Sequence, residues 1–313
     1  MIYLIPHCFE DFSCIADRCP DTCCSGWEVD LDEEALAKYN RLPGPLGQEI
    51  RSKIQTEDGY TFFRMEQGRC PFLNSENLCR LILEAGEGCL STTCREHPRF
   101  WEEYGDRQET CLAISCPEAA RLLLGEPFRL QLRETEARTT QEPDFDPELL
   151  DQLLALRDDL FALALGPNTL SQRIRDILAL FGAKSPLPVP AFLQAMTQME
   201  FTDHRLQDRL ITTLNRLPRQ EDVALLLDRH SMEGENLLCY FLYRYVLRAL
   251  WDGLVYEKIA FCLCSLLSIF TIAAAQEGAF DDALLWSAIL YSREVEHSPD
   301  NLELLYGTAS ATA

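Results

Sequence analysis

The chain has 313 residues, 47% hydrophobic and 25% charged, with a formal net charge of −22. That balance describes a soluble globular protein with one large or two ordinary cores, which needs no disulfides to replace a missing interior. The charge argues against nucleic acid as a partner, since nothing offsets phosphate repulsion and no basic stripe is present; an acidic surface instead attracts cationic groups, lysine side chains among them.

The opening segment, "MIYLIPHCFEDFSC", lacks a basic n-region, and its apolar run ends at Pro6 and His7. This does not read as a secretory leader, so the expected location is cytoplasmic, where thiols stay reduced. Clustered cysteines there more often bind metal or do redox chemistry than form structural bridges. The next stretch, "FSCIADRCPDTCCSGWEVD", places Cys14, Cys19, Cys23 and Cys24 within eleven positions ahead of a Gly-Trp pair. Spacings of five and four residues let one loop or helical turn aim several sulfurs at one point. Adjacent Cys23 and Cys24 project in different directions and suit a multi-iron cluster, or two neighbouring sites, better than one tetrahedral ion.

Further on, "GRCPFLNSENLCRL" and "LSTTCREHPRF" set Cys70, Cys79 and Cys94 beside proline or asparagine turn signals. Arg69, Arg80, Arg95 and Arg99 lie close to these thiols in sequence. They are candidates for hydrogen bonds to sulfur or for an anionic ligand group, with ordinary surface arginines as the alternative. His97, within "CREHPR", is a candidate ligand or acid–base group, although a loop histidine is the commoner meaning. Gly86 and Gly88 lack the third glycine and the preceding strand of a dinucleotide fingerprint. No P-loop, zincin motif or nucleophile elbow is present, and Gly26 stands where a CxxxCxxC triplet begun at Cys19 needs its third cysteine. Zinc and iron–sulfur both suit such a donor set, and spacing does not choose between them.

From about residue 118 the pattern becomes amphipathic helix. "PEAARLLLG" begins on proline and ends on glycine, and "QLRETEARTTQEPDFDP" reads as a polar linker. "PELLDQLLALRDDLFALALG" and "TLSQRIRDILALFG" repeat apolar residues at three- and four-residue spacing, the second with a Thr169 cap and a Gly182 stop. "SPLPVP" forces a loop, and further helices run from "PAFLQAMTQ" through "NLLCYFLYRYVLRALWDG" to "DDALLWSAILYSREVEH". "IAFCLCSLLSIFTIAAA", residues 259 to 275, is slightly short for a bilayer span and reads as a buried central helix, so no membrane span is expected. Cys239, Cys262 and Cys264 fall in such apolar helices and read as small core residues. The expected fold is mainly α: a cysteine-rich metal- or cluster-binding domain of short helices and loops over residues 1–130, a linker over 131–145, and an all-helical domain over 146–313.

The ordered blocks "C14…C19PDTCC…GW", "C70PFL", "LC79RL", "C94REHPR" and "SC116PEAARLLL" resemble the FliB-type flagellin lysine N-methylases. The front part is also similar to the broader CxxCxxCC family of zinc- or iron-chelating proteins, whose first cysteine pair is usually closer than Cys14 and Cys19. The resemblance continues through "ENLLCYFLYRYVLRALWDG" and "YSREVEHSPDN". It implies that Cys14, Cys19, Cys23, Cys24, Cys70, Cys79, Cys94 and Cys116 are metal ligands, while Cys8, Cys89 and Cys111 fall off the motif positions. It further implies methyl transfer from S-adenosylmethionine to lysine ε-amines of flagellin, with an iron–sulfur cluster, 4Fe–4S in type, or zinc as the alternative. Arg95 and Arg99 are the candidate cofactor-binding residues, and no catalytic side chain is assigned. A non-enzymatic metal-binding interaction module is the competing expectation.

Overall fold

The computed structural model describes residues 1–135, 144–182 and 187–310. Its first 134 residues contain strands β1 (Ile2–Pro6), β2 (Ile54–Glu57), β3 (Tyr60–Phe63), β4 (Arg99–Tyr104), β5 (Arg107–Leu112) and β6 (Leu130–Glu134). Four of them form one sheet in the order β4-β5-β1-β6. The β4–β5 hairpin turns at Gly105, whose φ of 61° lies in the left-handed region. β1 then pairs in parallel with β5, Ile2 opposite Arg107, and antiparallel with β6, Ile2 opposite Glu134. β2 and β3 form a separate hairpin.

The expectation of short helices and loops for this half is therefore corrected in one respect. The short helices are present, at Glu33–Arg41, Gly44–Lys53, Arg80–Ala85 and Thr92–Glu96, but a sheet stands among them. The central pairing joins residues about a hundred positions apart, so no local pattern announces it, and each strand is at most six residues long. The segment read as a linker begins within β6; its residues 136–143 lie outside the described residues, as do 183–186 of the proline-rich loop.

The remaining chain is helical where periodicity places helices. Pro117–Gly125 starts on Pro117, and Pro147–Ala164 has the Asp146 side chain accepting from the Glu148 amide. Thr169 caps Leu170–Leu180 by accepting from the Gln172 amide, and Gly182 follows with φ 64°. Ser231–Tyr245 crosses close to Leu170–Leu180 at Gly234, where a Cβ would come within 2.3 Å of Leu170 Cδ2. Any side chain there would oblige the Leu170 tip to move aside.

Val255–Ala274 is the one helix among the described residues long and apolar enough to cross a membrane, and 83% of its apolar window is buried inside the protein. It packs against Ser231–Tyr245, Phe280–Tyr291 and Pro299–Ser310, with Phe261, Leu266, Ile269 and Phe270 fully enclosed. Each such side chain contributes roughly 1.5–3 kcal/mol by leaving water. Cys239, Cys262 and Cys264 are equally enclosed there, as small core residues.

This core also takes in Leu4, Cys8, Phe12, Cys111 and Leu112, so the sheet and the helices share one interior. Arg157, from Pro147–Ala164, reaches the sheet and donates to both carboxylate oxygens of Glu109 at 2.6 and 2.7 Å, with both residues almost fully buried. Asn236 bonds the Leu123 and Glu126 carbonyls and accepts from the Phe128 amide, tying off the Pro117–Gly125 helix. A second, smaller core lies under the cysteine-rich loops and contains Leu31, Tyr39, Ile50, Phe63, Phe72, Leu81 and Cys89.

Candidate metal centre and adjoining cleft

The loop holding Cys14, Cys19, Cys23 and Cys24 is fixed by backbone pairing rather than by a helix. Cys70 N donates to Cys24 O at 2.8 Å and Gly26 N to Gly68 O at 2.9 Å, which lays this loop along the turn before Cys70. Gly26 has φ 87°, a conformation that suits glycine, and the chain turns so that Trp27 Nε1 donates to Cys23 O at 2.9 Å. The Gly-Trp pair thus clamps the Cys23 backbone.

Cys70 and Cys79 are brought together by the intervening asparagine turn. Asn74 Oδ1 accepts from the amides of Glu76 and Leu78, Asn77 adopts φ 58°, and Arg80 N bonds back to Phe72 O. Cys94 sits on Thr92–Glu96, where its amide donates to the Ser91 cap. Asp32 accepts from the amides of both Ala35 and Thr92, so one carboxylate joins the Glu33–Arg41 helix to the helix bearing Cys94. Cys116 precedes Pro117 at the start of the next helix.

Several of these thiols lie within electrostatic reach of Cys23. Cys70, Cys79, Cys94, Cys116 and Cys19 all feel Cys23, while Cys70 and Cys94 also feel Cys79 and Cys19 feels Cys14. Burial pushes Cys70, Cys94 and Cys116 up to about 11, and the neighbouring thiols add to this. Cys23 is exposed at the surface, yet its pKa is raised by a thiol hydrogen bond with Cys24 and by crowding from surrounding groups. All eight stand as free cysteines. Among the described residues, no three His, Cys, Asp or Glu side chains already form a closed group able to hold a metal ion.

The donor chemistry nonetheless fits a thiolate-bound centre. Burial and neighbouring thiols keep these half-buried sulfurs protonated, and a bound metal would deprotonate a coordinating thiol outright. Cys8 and Cys111 are buried in the large core, and Cys89 lies in the small core beneath Cys79 and Cys94.

The arginines are otherwise engaged. Arg80 makes a two-point pair with Glu49 and a further bond to Glu84, and Arg69 donates to Asn77. Arg95 pairs with Glu96 on the surface. Arg99 lies over the Phe12 ring at 4.9 Å and donates to Phe12 O, bracing the start of the cysteine loop.

Beside the thiols lies a cluster that local reading of the sequence only partly marks. Trp27, His97 and His297 form a ring triangle with centroids 5.9, 5.9 and 6.5 Å apart, and His297 Nε2 lies 2.9 Å from Ser115 Oγ. Burial, then the neighbouring His297 and Arg293, lower His97 to about 4, so it is neutral at pH 7. His297 is lowered by crowding and by Arg244 and Arg293, an effect that its solvent-exposed face limits.

His297 follows a π-helical turn, Ser292–Glu296, a geometry often found at functional sites. Within it Glu296 accepts from Tyr240 and Tyr245 and pairs with Arg244, whose guanidinium lies 3.9 Å from the Phe100 ring centre. Burial works against the charge on Arg244, but Glu296 and the two phenol oxygens reverse this and hold it protonated. Asp21, in the cysteine loop, is 2.9 Å from both Arg293 and Arg205, locking that loop to the helices. The signals for these residues were the "GW" and "YSREVEHSPDN" blocks, whose side chains meet only in the fold.

A cleft of ≈ 340 Å³ opens at His297 and is walled by Arg248, Glu296, Glu303 and Tyr306. It adjoins a second of ≈ 420 Å³, which shares Arg248 and Tyr306 and adds Glu102, Trp251, Asp252 and Lys258. Lys258 Nζ lies 3.9 Å from the Tyr306 ring centre and 2.6 Å from Asp252, so this wall already accommodates one alkylammonium group.

Fold and site together define a mainly helical protein whose cysteine-rich first half gathers thiols beside an acidic and aromatic cleft. Direct comparison supplies its relatives. The chain is 29% identical over 139 residues to the flagellar biosynthetic protein FliU of Salmonella muenchen, covering 42% of this chain and 82% of that protein. It is 30% identical over 136 residues to a lysine-N-methylase of Salmonella choleraesuis strain SC-B67, covering 41% of this chain and 34% of the relative. A lysine-N-methylase of Salmonella typhimurium strain LT2 is also 30% identical, over 130 residues, 39% and 32% of the two chains. The matched part is about a third of the length of these two methylases. No family model matches the chain, and no solved structure matches it. Over about two fifths of its length the chain is thus similar to proteins named for flagellar biosynthesis and lysine N-methylation.

Proposed function

We propose that this chain transfers methyl groups from S-adenosylmethionine to lysine ε-amines of flagellin, beside an iron–sulfur cluster held by its cysteines. What carries the reading is the gathering of motif thiols around Cys23, next to the His297 cleft, in a chain whose relatives are named lysine-N-methylase. The ligands would come from Cys14, Cys19, Cys23, Cys24, Cys70, Cys79, Cys94 and Cys116. When bound, the cluster would supply a Lewis-acidic iron or an electron.

The protein's own part follows from the chemistry of the amine. A lysine ammonium has no lone pair, so it must lose a proton before its nitrogen can attack the sulfonium methyl. The acidic rim at Glu102, Asp252 and Glu303 draws the cation in and favours its charged form, while Arg248 on the shared wall opposes this by like charge. His297, held toward Ser115 and neutral at pH 7, lines the cleft as a hydrogen-bonding group for the amine, whose proton leaves to solvent before the attack. The N–C bond forms as the S–C bond breaks, and the neutral thioether leaves. Alignment of nitrogen, methyl carbon and sulfur carries much of the rate.

Anaerobic co-expression with flagellin followed by intact-mass analysis tests this reading. Methyl increments on lysine are expected, and their absence with metal and methyl donor supplied would overturn it. A second reading, a non-enzymatic metal module, draws on the packing of Cys70, Cys79 and Cys94 against the small core, as structural zinc ligands pack. Stoichiometric zinc without absorbance near about 400 nm would favour it.

A further inference from the structure

Strand β4 ends the four-stranded sheet, and among the described residues no strand lies on its outer side. Its pairing with β5 closes at the turn residues Gly105 and Asp106, so Tyr104 and Arg107 form the hydrogen-bonded pair nearest the turn. Alternation then directs the peptide groups of Phe100 and Glu102 at β5, as it does those of Pro98, whose carbonyl accepts from the Ala113 amide at 2.8 Å. The N–H and C=O groups of Arg99, Trp101 and Glu103 point outward instead. Trp101 is 45% exposed and Glu103 is exposed as well, so this edge meets solvent.

Side chains alternate between the two faces of the strand. Phe100 lies under Arg244, Glu102 accepts from Arg248 at 3.1 Å, and Tyr104 packs on Trp251 at 5.7 Å, so these three share the face turned to the helices. Glu102, Arg248 and Trp251 line the ≈ 420 Å³ cleft together with Asp252 and Tyr306. A polypeptide laid along the outer edge of β4 therefore sends every second side chain toward that cleft. A bare edge offers its peptide groups to any strand, and charge selects among them. Glu102 and Glu103 stand side by side on this one, and Glu103 accepts only the neutral Gln108 amide as a side-chain partner among the described residues. A second copy of the chain brings the same carboxylates and a charge of −22, whereas a lysine-bearing segment brings the opposite sign. We propose that β4 is a docking edge for an extended, lysine-bearing segment of the protein substrate. The segment joins the sheet through the outward peptide groups of Trp101 and Glu103 and hangs its lysine beside Glu102 into the cleft. This rests on the methylation reading above and names how its substrate is held.

The test uses the full-length chain and a fluorescein-labelled, end-capped peptide of alternating threonine and valine with one central lysine, read by fluorescence anisotropy. One twin carries norleucine for that lysine, and another carries N-methyl groups on its backbone amides, which then cannot donate to β4. Wild type should bind the parent peptide, and each twin about ten-fold more weakly. Trp101→Pro removes an outward N–H without touching a bond to β5, a place where an edge strand tolerates proline, and should weaken the parent peptide by about the same factor. Trp101→Ala keeps that N–H, and Leu132→Pro lies on the opposite edge of the sheet, so each should lose less than about three-fold. Equal binding of the parent and N-methylated peptides by wild type would overturn the docking edge, whether or not Trp101→Pro folds. So would no binding up to about 1 mM, or a self-associated chain that Trp101→Pro makes monomeric. Peptide binding needs neither methyl donor nor metal, so these outcomes leave the methylation reading standing. A chain that binds the peptide at β4 yet adds no methyl group to flagellin overturns that reading and leaves the edge as a lysine-peptide site.

Discussion

Cysteine occupies two different settings in the large core and the small core under the cysteine-rich loops. In the large core, Cys239, Cys262 and Cys264 are fully enclosed among leucine, isoleucine and phenylalanine, with thiols kept protonated by burial. At the small core Cys70, Cys79 and Cys94 sit half-buried, within electrostatic reach of one another. Burial alone does not separate the two settings; proximity to other thiols does. A thiol surrounded by hydrocarbon has nothing to share, whereas thiols gathered at an accessible margin can share a cation.

The largest expected effect breaks that contrast directly. Cys70→Ser should lose metal binding almost entirely, read as metal per chain after anaerobic purification. Cys262→Ala should keep full metal content and cost only about 1 kcal/mol in urea unfolding, the scale of one small buried group. Equal metal loss in the two variants would erase the distinction.

Next in size is the bond between the two halves. Glu109→Ala leaves the buried guanidinium of Arg157 without its carboxylate and should cost about 3–5 kcal/mol, measured by urea denaturation. A loss below 1 kcal/mol would mean that sheet and helices do not depend on this pair.

A smaller effect sharpens the picture at the junction of the two regions. His97 is lowered from 6.5 to about 4 in the fold, so the unfolded chain takes up its proton first as pH falls. Its contribution is fully present above pH 6.5 and is lost progressively toward pH 4. Thermal midpoints of wild type should therefore fall more steeply over that window than those of His97→Gln. Parallel curves would show that His97 titrates in the fold as it does in the unfolded chain.

Much of the helical half was legible along the chain, because helix signals are local. Thr169 and Gly182 mark both ends of one helix, and the apolar run at 259–275 marks the buried centre. The cysteine blocks likewise marked the candidate ligands, through residue type and order. The sheet was not legible, since β1 finds β5 across about a hundred residues and β6 lies in a polar stretch. Nor was the pairing of Trp27 and His97 with His297, or of Asp21 with Arg205 and Arg293.

What the sequence determined by itself was the helical periodicity, the acidity and the supply of thiols. Only the tertiary structure decided which thiols come within electrostatic reach of Cys23 and which lie in hydrocarbon. The reason is physical. Helix formation depends on neighbours three and four residues away, whereas a shared site depends on contacts that loops and strands make only after the chain has folded back on itself.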